Sequence, residues 1–164
     1  MSAPHVAPWW RDPSDPVSLE YEYGPVIDGA DGTEAFIVEL DREPIGFIQH
    51  YEIVQHRDWE RALRTTGLEE PSVGIDYLIG PENRVGGGLG PAMIEQFVRA
   101  TWSRYPTVSV IAVVIDQDNR RSWRALEKIG FQRAWTGHLV TDDPNENGPS
   151  FLYLMRRRPH VGAP

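Results

Sequence analysis

The sequence predicts an α/β fold. Three observations carry the prediction: two β-rich runs around a short polar turn, a glycine-rich turn between an apolar run and an amphipathic helix, and a continuous β-branched run that leads into a second helix. With 164 residues, 40% of them hydrophobic, the chain is long enough for one packed core and too short for two. Residues 1–164 are therefore expected to form a single domain without internal repeats or a linker.

Residues 1–32 are rich in Pro, Gly and Asp and carry the Trp9-Trp10 pair, which predicts an irregular or partly helical segment. Residues 17–23 (VSLEYEY) alternate like a strand, yet the same stretch also suits a short helix feeding Gly24-Pro25. Glu34–Leu40 and Ile45–Tyr51 flank Asp41-Arg42-Glu43-Pro44 and read as an antiparallel hairpin. Residues 55–72 read as a short helix and a loop. Val73–Ile79 is a further strand, closed by Gly80-Pro81-Glu82-Asn83. After the glycine-rich turn, Met93, Phe97 and Thr101 form one helical stripe, with Ile94, Val98 and Trp102 beside it. Pro91 suits the first turn, where its missing N–H is not needed. Thr107–Ile115 is continuous and mostly β-branched, as in a strand buried on both faces. Asn119–Lys128 reads as a helix stopped by Gly130. Phe131–Val140 and Ser150–Met155 are two closing strands, and residues 156–164 are expected to be a frayed tail.

Composition removes several functions. There is no cysteine, so disulfides, thiolate metal sites and a cysteine nucleophile are excluded, and the cytoplasm is the expected compartment. Lys128 is the only lysine. No apolar run approaches the roughly 20 residues of a membrane span, and the N-terminus lacks the basic and apolar regions of a signal peptide. A net charge of -8 is the opposite of a nucleic-acid footprint. It suits a cationic partner such as a polyamine or amino sugar, although solubility alone also accounts for it. His50 and His56 stand at a spacing that fits neither one helix face nor a tight loop, so no metal is expected.

The most informative unit is Arg84-Val85-Gly86-Gly87-Gly88-Leu89-Gly90 between a strand and a helix. Unpaired N–H groups and the dipole at a helix start make an anion site, and glycines let a phosphate approach the backbone. A connecting loop would show the same glycines. A P-loop requires Gly-Lys-Ser/Thr where this chain has Gly88-Leu89-Gly90, and a dinucleotide fingerprint requires glycine where it has Met93.

The spacing of Gly88 and Gly90 resembles the pyrophosphate loop of the GNAT acetyltransferases, Gln/Arg-x-x-Gly-x-Gly/Ala, with Val85 in place of the Gln or Arg and Arg84 one residue early. Downstream, Asn119 opens a helix that ends at Gly130-Phe131, as in the same family. The resemblance implies a mixed, mainly antiparallel sheet flanked by helices, splayed between the strands ending near Gly80 and Ile115 to admit acetyl-CoA as cosubstrate. It implies backbone pairing of Leu78 and Ile79 with the pantetheine amides, a pyrophosphate held by Val85, Gly86, Gly87, Gly88, Leu89 and Gly90, and pantetheine contacts at Asn119 and Ser122.

The segments around Gly46, Gly74 and Gly148, with the Trp9-Trp10 pair, resemble the aminoglycoside 6'-N-acetyltransferases over about residues 5–157. By that resemblance the N-terminal strand of such enzymes is missing here, and a second subunit would cover the open sheet edge. The resemblance places Asp76 beside the cleft as general base, since an amine attacks a thioester only when neutral. It places the small cationic amine substrate against Trp9, Trp10, Gln49, Tyr51, Trp59 and Asp116, while the usual acceptor carboxylate position falls on Val114. Glu69-Glu70 and Asp142-Asp143 read as solvated loop charges, either of which could also meet a cationic acceptor. Many members carry a tyrosine seven residues after the asparagine, which protonates the leaving thiolate; that position is Leu126. Siderophore-type acyltransferases are similar at this level. Leu126 and Val85 leave room for a non-catalytic acyl-CoA-binding module.

Overall fold

The computed structural model describes residues 3–10, 15–143 and 147–157. Six strands form one sheet in the order β1-β2-β3-β4-β6-β5. They are β1 (Glu34–Leu40), β2 (Glu43–Glu52), β3 (Ser72–Ile79), β4 (Val110–Asp116), β5 (Gln132–Leu139) and β6 (Gly148–Arg156). All pairings are antiparallel except β3 with β4. The helices are α1 (Pro16–Ile27), α2 (Arg57–Arg64), α3 (Leu89–Arg104) and α4 (Arg120–Lys128). No helix among the described residues is long and apolar enough to cross a membrane.

Alternation along the central strands divides the core between two faces. Val73, Ile75, Ile111, Val113 and Tyr153 point to the face covered by α3 and α4, where they meet Ile94, Val98 and Leu126. Tyr51, Val110, Ala112, Leu152 and Leu154 point to the opposite face with Ile53 and with Leu63 of α2. Helices on both faces, as expected, follow from this two-sided burial.

The hairpin turns on Asp41 and Arg42 alone, both at positive φ (54° and 68°). This two-residue turn matches strand twist, so β2 starts at Glu43, two residues ahead of the expected start. The ambiguous stretch 17–23 is helical. Asp15 caps α1 by accepting from the Ser18 N–H at 3.0 Å, and Pro16 sits in its first turn. No residue of α1 is buried, so the alternation in the sequence never becomes a strand face. Gly130, at φ 97°, follows α4 as expected. The expected tail is corrected at its start. Arg156 is in β6, and Arg157 donates to the carbonyls of Trp102, Val108 and Tyr105 at 2.8–3.1 Å. Residues 158–164 lie outside the described residues. Below β2, His50 is buried between Thr101 (3.0 Å) and Glu34 (3.1 Å), well away from any role with His56, which instead packs edge-on against Tyr51.

Candidate active site

The site begins where two parallel strands part. β3 pairs with β4 only from Ser72↔Val110 to Gly74↔Ala112. Beyond Gly74, β3 stays with β2 and β4 stays with β6. The expected splay is therefore present, and it leaves the backbone of residues 75–79 with one edge open. Hydrogen bonding to β2 alternates along β3. Gly80 N–H donates to the Ile45 carbonyl at 3.0 Å, so the same parity directs Leu78 to β2 and Ile79 to the open edge. Of the two backbone contacts expected at Leu78 and Ile79, this geometry offers Ile79. Its carbonyl already accepts from His5 Nε2 at 2.9 Å, a contact between residues 74 positions apart that no local pattern announces.

Two cavities flank the splay and share a wall made of Pro8, Trp9 and Trp10. The first has a volume of about 690 Å³. Tyr77, Leu78 and Ile79 line it from β3, Val85, Gly86, Gly88 and Gly90 from the glycine-rich turn, and Asn119 and Ser122 from the start of α4. Gly86, Gly87 and Gly88 all take positive φ (107°, 23° and 84°), and Gly88 is the cap residue of α3. That conformation is open to glycine and strained for other residues. Gly87 and Leu89, expected against the cofactor, do not line the cavity: Gly87 shapes the turn and Leu89 opens α3. Asn119 serves as N-cap, its Oδ1 accepting from the Ser122 N–H at 3.3 Å, while it also lines the cavity. Arg84 is turned away to Glu43 at 3.1 Å. Arg120, Arg121, Arg124 and Lys128 line the rim from α4. In sequence they read only as helix surface, because nothing local shows that this face borders a cavity.

Tyr77 and Ser122 join their hydroxyls at 2.7 Å across the splay. Burial pushes the Tyr77 hydroxyl well above the ordinary phenol range, against a smaller opposing effect of the Ser122 hydrogen bond. Leu126, one helical turn past Ser122, is fully buried in the core. Leu126→Tyr is thus expected to destabilise by overpacking, by about 1–3 kcal/mol, rather than supply a hydroxyl to the cleft. Urea unfolding checks this, and undiminished stability would sink it.

The second cavity, about 490 Å³, lies on the α2 face. Trp9, Trp10, Gln49, Tyr51, Trp59, Asp76 and Asp116 all line it, so every residue expected near the acceptor is brought together. Gln49 stands opposite Asp76 in register, and its Nε2 donates to Asp76 Oδ2 at 3.0 Å. Tyr51 lies over Gly74, where an added Cβ would meet its ring at 2.5 Å. Trp10 and Tyr23 both meet Phe47 edge-on, at 5.6 and 5.7 Å, and Trp10 Nε1 donates to the Tyr23 hydroxyl at 3.1 Å. These contacts dock the N-terminal segment and α1 as a wall. Val114 and Asp116 share one face of β4 and both line the cavity, so the carboxylate stands two residues beyond the family position. Glu22, Asp31 and Asp143 add further carboxylates, and no lysine or arginine lines this cavity among the described residues. Of the two acidic pairs, Asp143 faces the cavity, whereas Asp142 pairs with Arg61 and Glu70 with Arg156.

A family model described as "Acetyltransferase (GNAT) domain" matches residues 1–139. "Aminoglycoside N(6')-acetyltransferase type 1" from Klebsiella pneumoniae is 28% identical, over 96% of this chain and 75% of its own length, and the Serratia marcescens protein of the same name matches equally. A crystal structure of aminoglycoside acetyltransferase AAC(6')-Ib with coenzyme A superposes with a TM-score of 0.80 at 26% identity, over 96% of this chain and 85% of that one. The same enzyme with coenzyme A and kanamycin gives 0.78 at 27% identity, over 94% and 84%.

Proposed function

We infer that this chain, which belongs to the acetyltransferase (GNAT) domain family, moves an acetyl group from acetyl-CoA to a primary amine of a small polycationic acceptor, the 6'-amine of an aminoglycoside. The observation that carries this reading is the pair of cavities of opposite charge. One is rimmed by four cationic side chains and a glycine turn, and the other holds five carboxylates. β3 passes from one to the other between Asp76 and Tyr77. An anionic donor and a cationic acceptor would meet there.

The residues present fit coenzyme A. The N–H groups at the start of α3, reached through Gly86–Gly88, suit a pyrophosphate. Arg120, Arg121, Arg124 and Lys128 suit its remaining phosphate, and Ile79 offers open-edge backbone to an amide-bearing arm. Acetyl-CoA supplies an acyl group on a thiol that leaves readily. On the other side, Asp76 attracts the acceptor ammonium and takes its proton, and Gln49 holds the carboxylate in place. Asp116 and Asp143 anchor the other amines, and the tryptophans offer ring faces to cations and sugar. Transfer is direct, since the chain has no cysteine to carry an acyl group.

Thiol release from acetyl-CoA tests the reading against a panel: aminoglycosides with and without a 6'-amine, polyamines, lysine and N6-hydroxylysine. Turnover that requires the 6'-amine is expected. Turnover with N6-hydroxylysine alone would replace the acceptor, and silence across the panel while coenzyme A still raises the melting temperature would leave a binding protein.

A further inference from the structure

We propose that Tyr77, with its hydroxyl partner Ser122, donates a hydrogen bond to the departing sulfur of coenzyme A. The proposal rests on the reading of this chain as an acetyl-CoA-dependent transferase and adds a catalytic residue to it.

The argument starts from charge. When the acyl carbon changes partner, the C–N bond forms and the C–S bond breaks, and the electron pair goes to sulfur. Negative charge therefore grows on that atom inside a cavity, where an uncompensated charge is costly. A donor is needed close to where the two cavities meet.

Few groups qualify. Acyl transfer must occur where β3 crosses from the acceptor cavity, at Asp76, to the cofactor cavity, at Tyr77. The cofactor cavity has two hydroxyl side chains in its lining among the described residues, Tyr77 and Ser122, and they are bonded to each other at 2.7 Å. Among the other side-chain donors of the lining, Asn119 is engaged at the cap of α4 and Trp9 is exposed to solvent. Trp10 Nε1 donates to Tyr23, His5 Nε2 donates to the Ile79 carbonyl, and Arg120, Arg121, Arg124 and Lys128 stand along α4 as a cationic rim suited to phosphate. Leu126 is buried and carries no polar atom.

Successive residues of a strand point to opposite faces. Asp76 therefore stands on the acceptor side and Tyr77 on the cofactor side of one strand, so base and donor act on opposite sides of the same carbon. Asp76 takes one proton from the amine. With Ser122 donating to the Tyr77 oxygen, the Tyr77 O–H is directed to the sulfur, which keeps both oxygens satisfied. Tyr77 keeps its proton throughout. Its raised pKa, caused first by burial, makes it a poor acid and a dependable donor. Asp76 passes its proton to solvent, the N-protonated adduct loses a second proton to solvent as it collapses to the amide, and the thiolate takes one proton from water on release. One proton is released in sum.

The test reads the thiol rather than turnover. Coenzyme A is bound to the protein, and thiolate absorbance in the ultraviolet is followed from pH 6 to pH 9. A free thiol titrates near ~8.5. A hydrogen bond to the thiolate lowers that value, and the bound thiol is expected to titrate about one pH unit below free coenzyme A, which gives about tenfold more thiolate at pH 6 and little difference at pH 9. Tyr77→Phe is expected to remove most of that gain while its dissociation constant for coenzyme A stays within about threefold. Its kcat should fall about tenfold or more, with the gap narrowing when the acetyl thioester of a more acidic thiol replaces acetyl-CoA. A wild-type bound thiol that titrates at or above the free value overturns the proposal without recourse to any variant. Equal thiol titration in wild type and Tyr77→Phe overturns it as well. Failure of coenzyme A to bind at all would overturn the transferase reading along with it.

Discussion

Asp76→Asn is expected to lower kcat/KM for the amine acceptor by about 100- to 10,000-fold at pH 7, the range for loss of a positioned general base. Asparagine keeps the shape and the hydrogen bond to Gln49, so the loss isolates charge and basicity. An alkyl amine titrates near the lysine value of ~10.4, which leaves about one molecule in 2,500 neutral at pH 7. In the role proposed for it, Asp76 draws that ammonium in and removes its proton at the reaction site. The deficit should therefore shrink as pH rises, since solvent then supplies the neutral amine. Coenzyme A affinity should be unchanged, because Asp76 lines the acceptor cavity and not the other one. Steady-state kinetics between pH 6 and pH 9.5, with calorimetric titration of coenzyme A, check all three points. A variant within threefold of wild type at pH 7 would mean that another group, such as Asp116, takes the proton.

Much of this site was legible because its parts are local. The glycine turn, the Asn119 cap and the apolar run of β3 are each written in a few consecutive residues, and each has a physical cause that operates at short range. Asp76 and Gln49 were expected at the site through the family resemblance, and the hydrogen bond between them comes from the register of two neighbouring strands. What escaped the sequence is what depends on distant approach. His5 reaches Ile79 because the N-terminal segment folds back over the splay, and Tyr77 reaches Ser122 because α4 crosses β3. Neither contact leaves a local signature. The basic residues of α4 were visible as residues but not as a rim, since an amphipathic helix looks alike whether its polar face meets water or a cavity. The alternation at 17–23 was ambiguous for a different reason. Periodicity reports burial, and no residue of α1 is fully buried, so the cap at Asp15 and the proline after it decided the outcome.

Gly88→Val is expected to weaken coenzyme A binding by about 10- to 100-fold. Gly88 sits at φ 84°, and a Cβ placed there meets no atom within 4 Å. The cost is thus backbone strain and not collision, about 1–3 kcal/mol for a β-branched residue in this region. A loop has a way out that a core does not: it can rotate into an ordinary conformation. Doing so relieves the strain but turns the amides at the start of α3 away from the position proposed for the phosphate, and the helix start no longer suits an anion. The free-energy loss should therefore appear in binding more than in folding. Graded substitutions separate this account from a steric one. Asparagine tolerates positive φ better than alanine, and alanine better than valine. Affinity should fall in the order Gly88, Gly88→Asn, Gly88→Ala, Gly88→Val, although asparagine is larger than alanine. The melting temperature without ligand should move by only a few degrees across the series. An order that followed side-chain volume would point to a ligand pressed against Gly88 itself, and wild-type affinity in Gly88→Val would remove the glycine turn from the cofactor site.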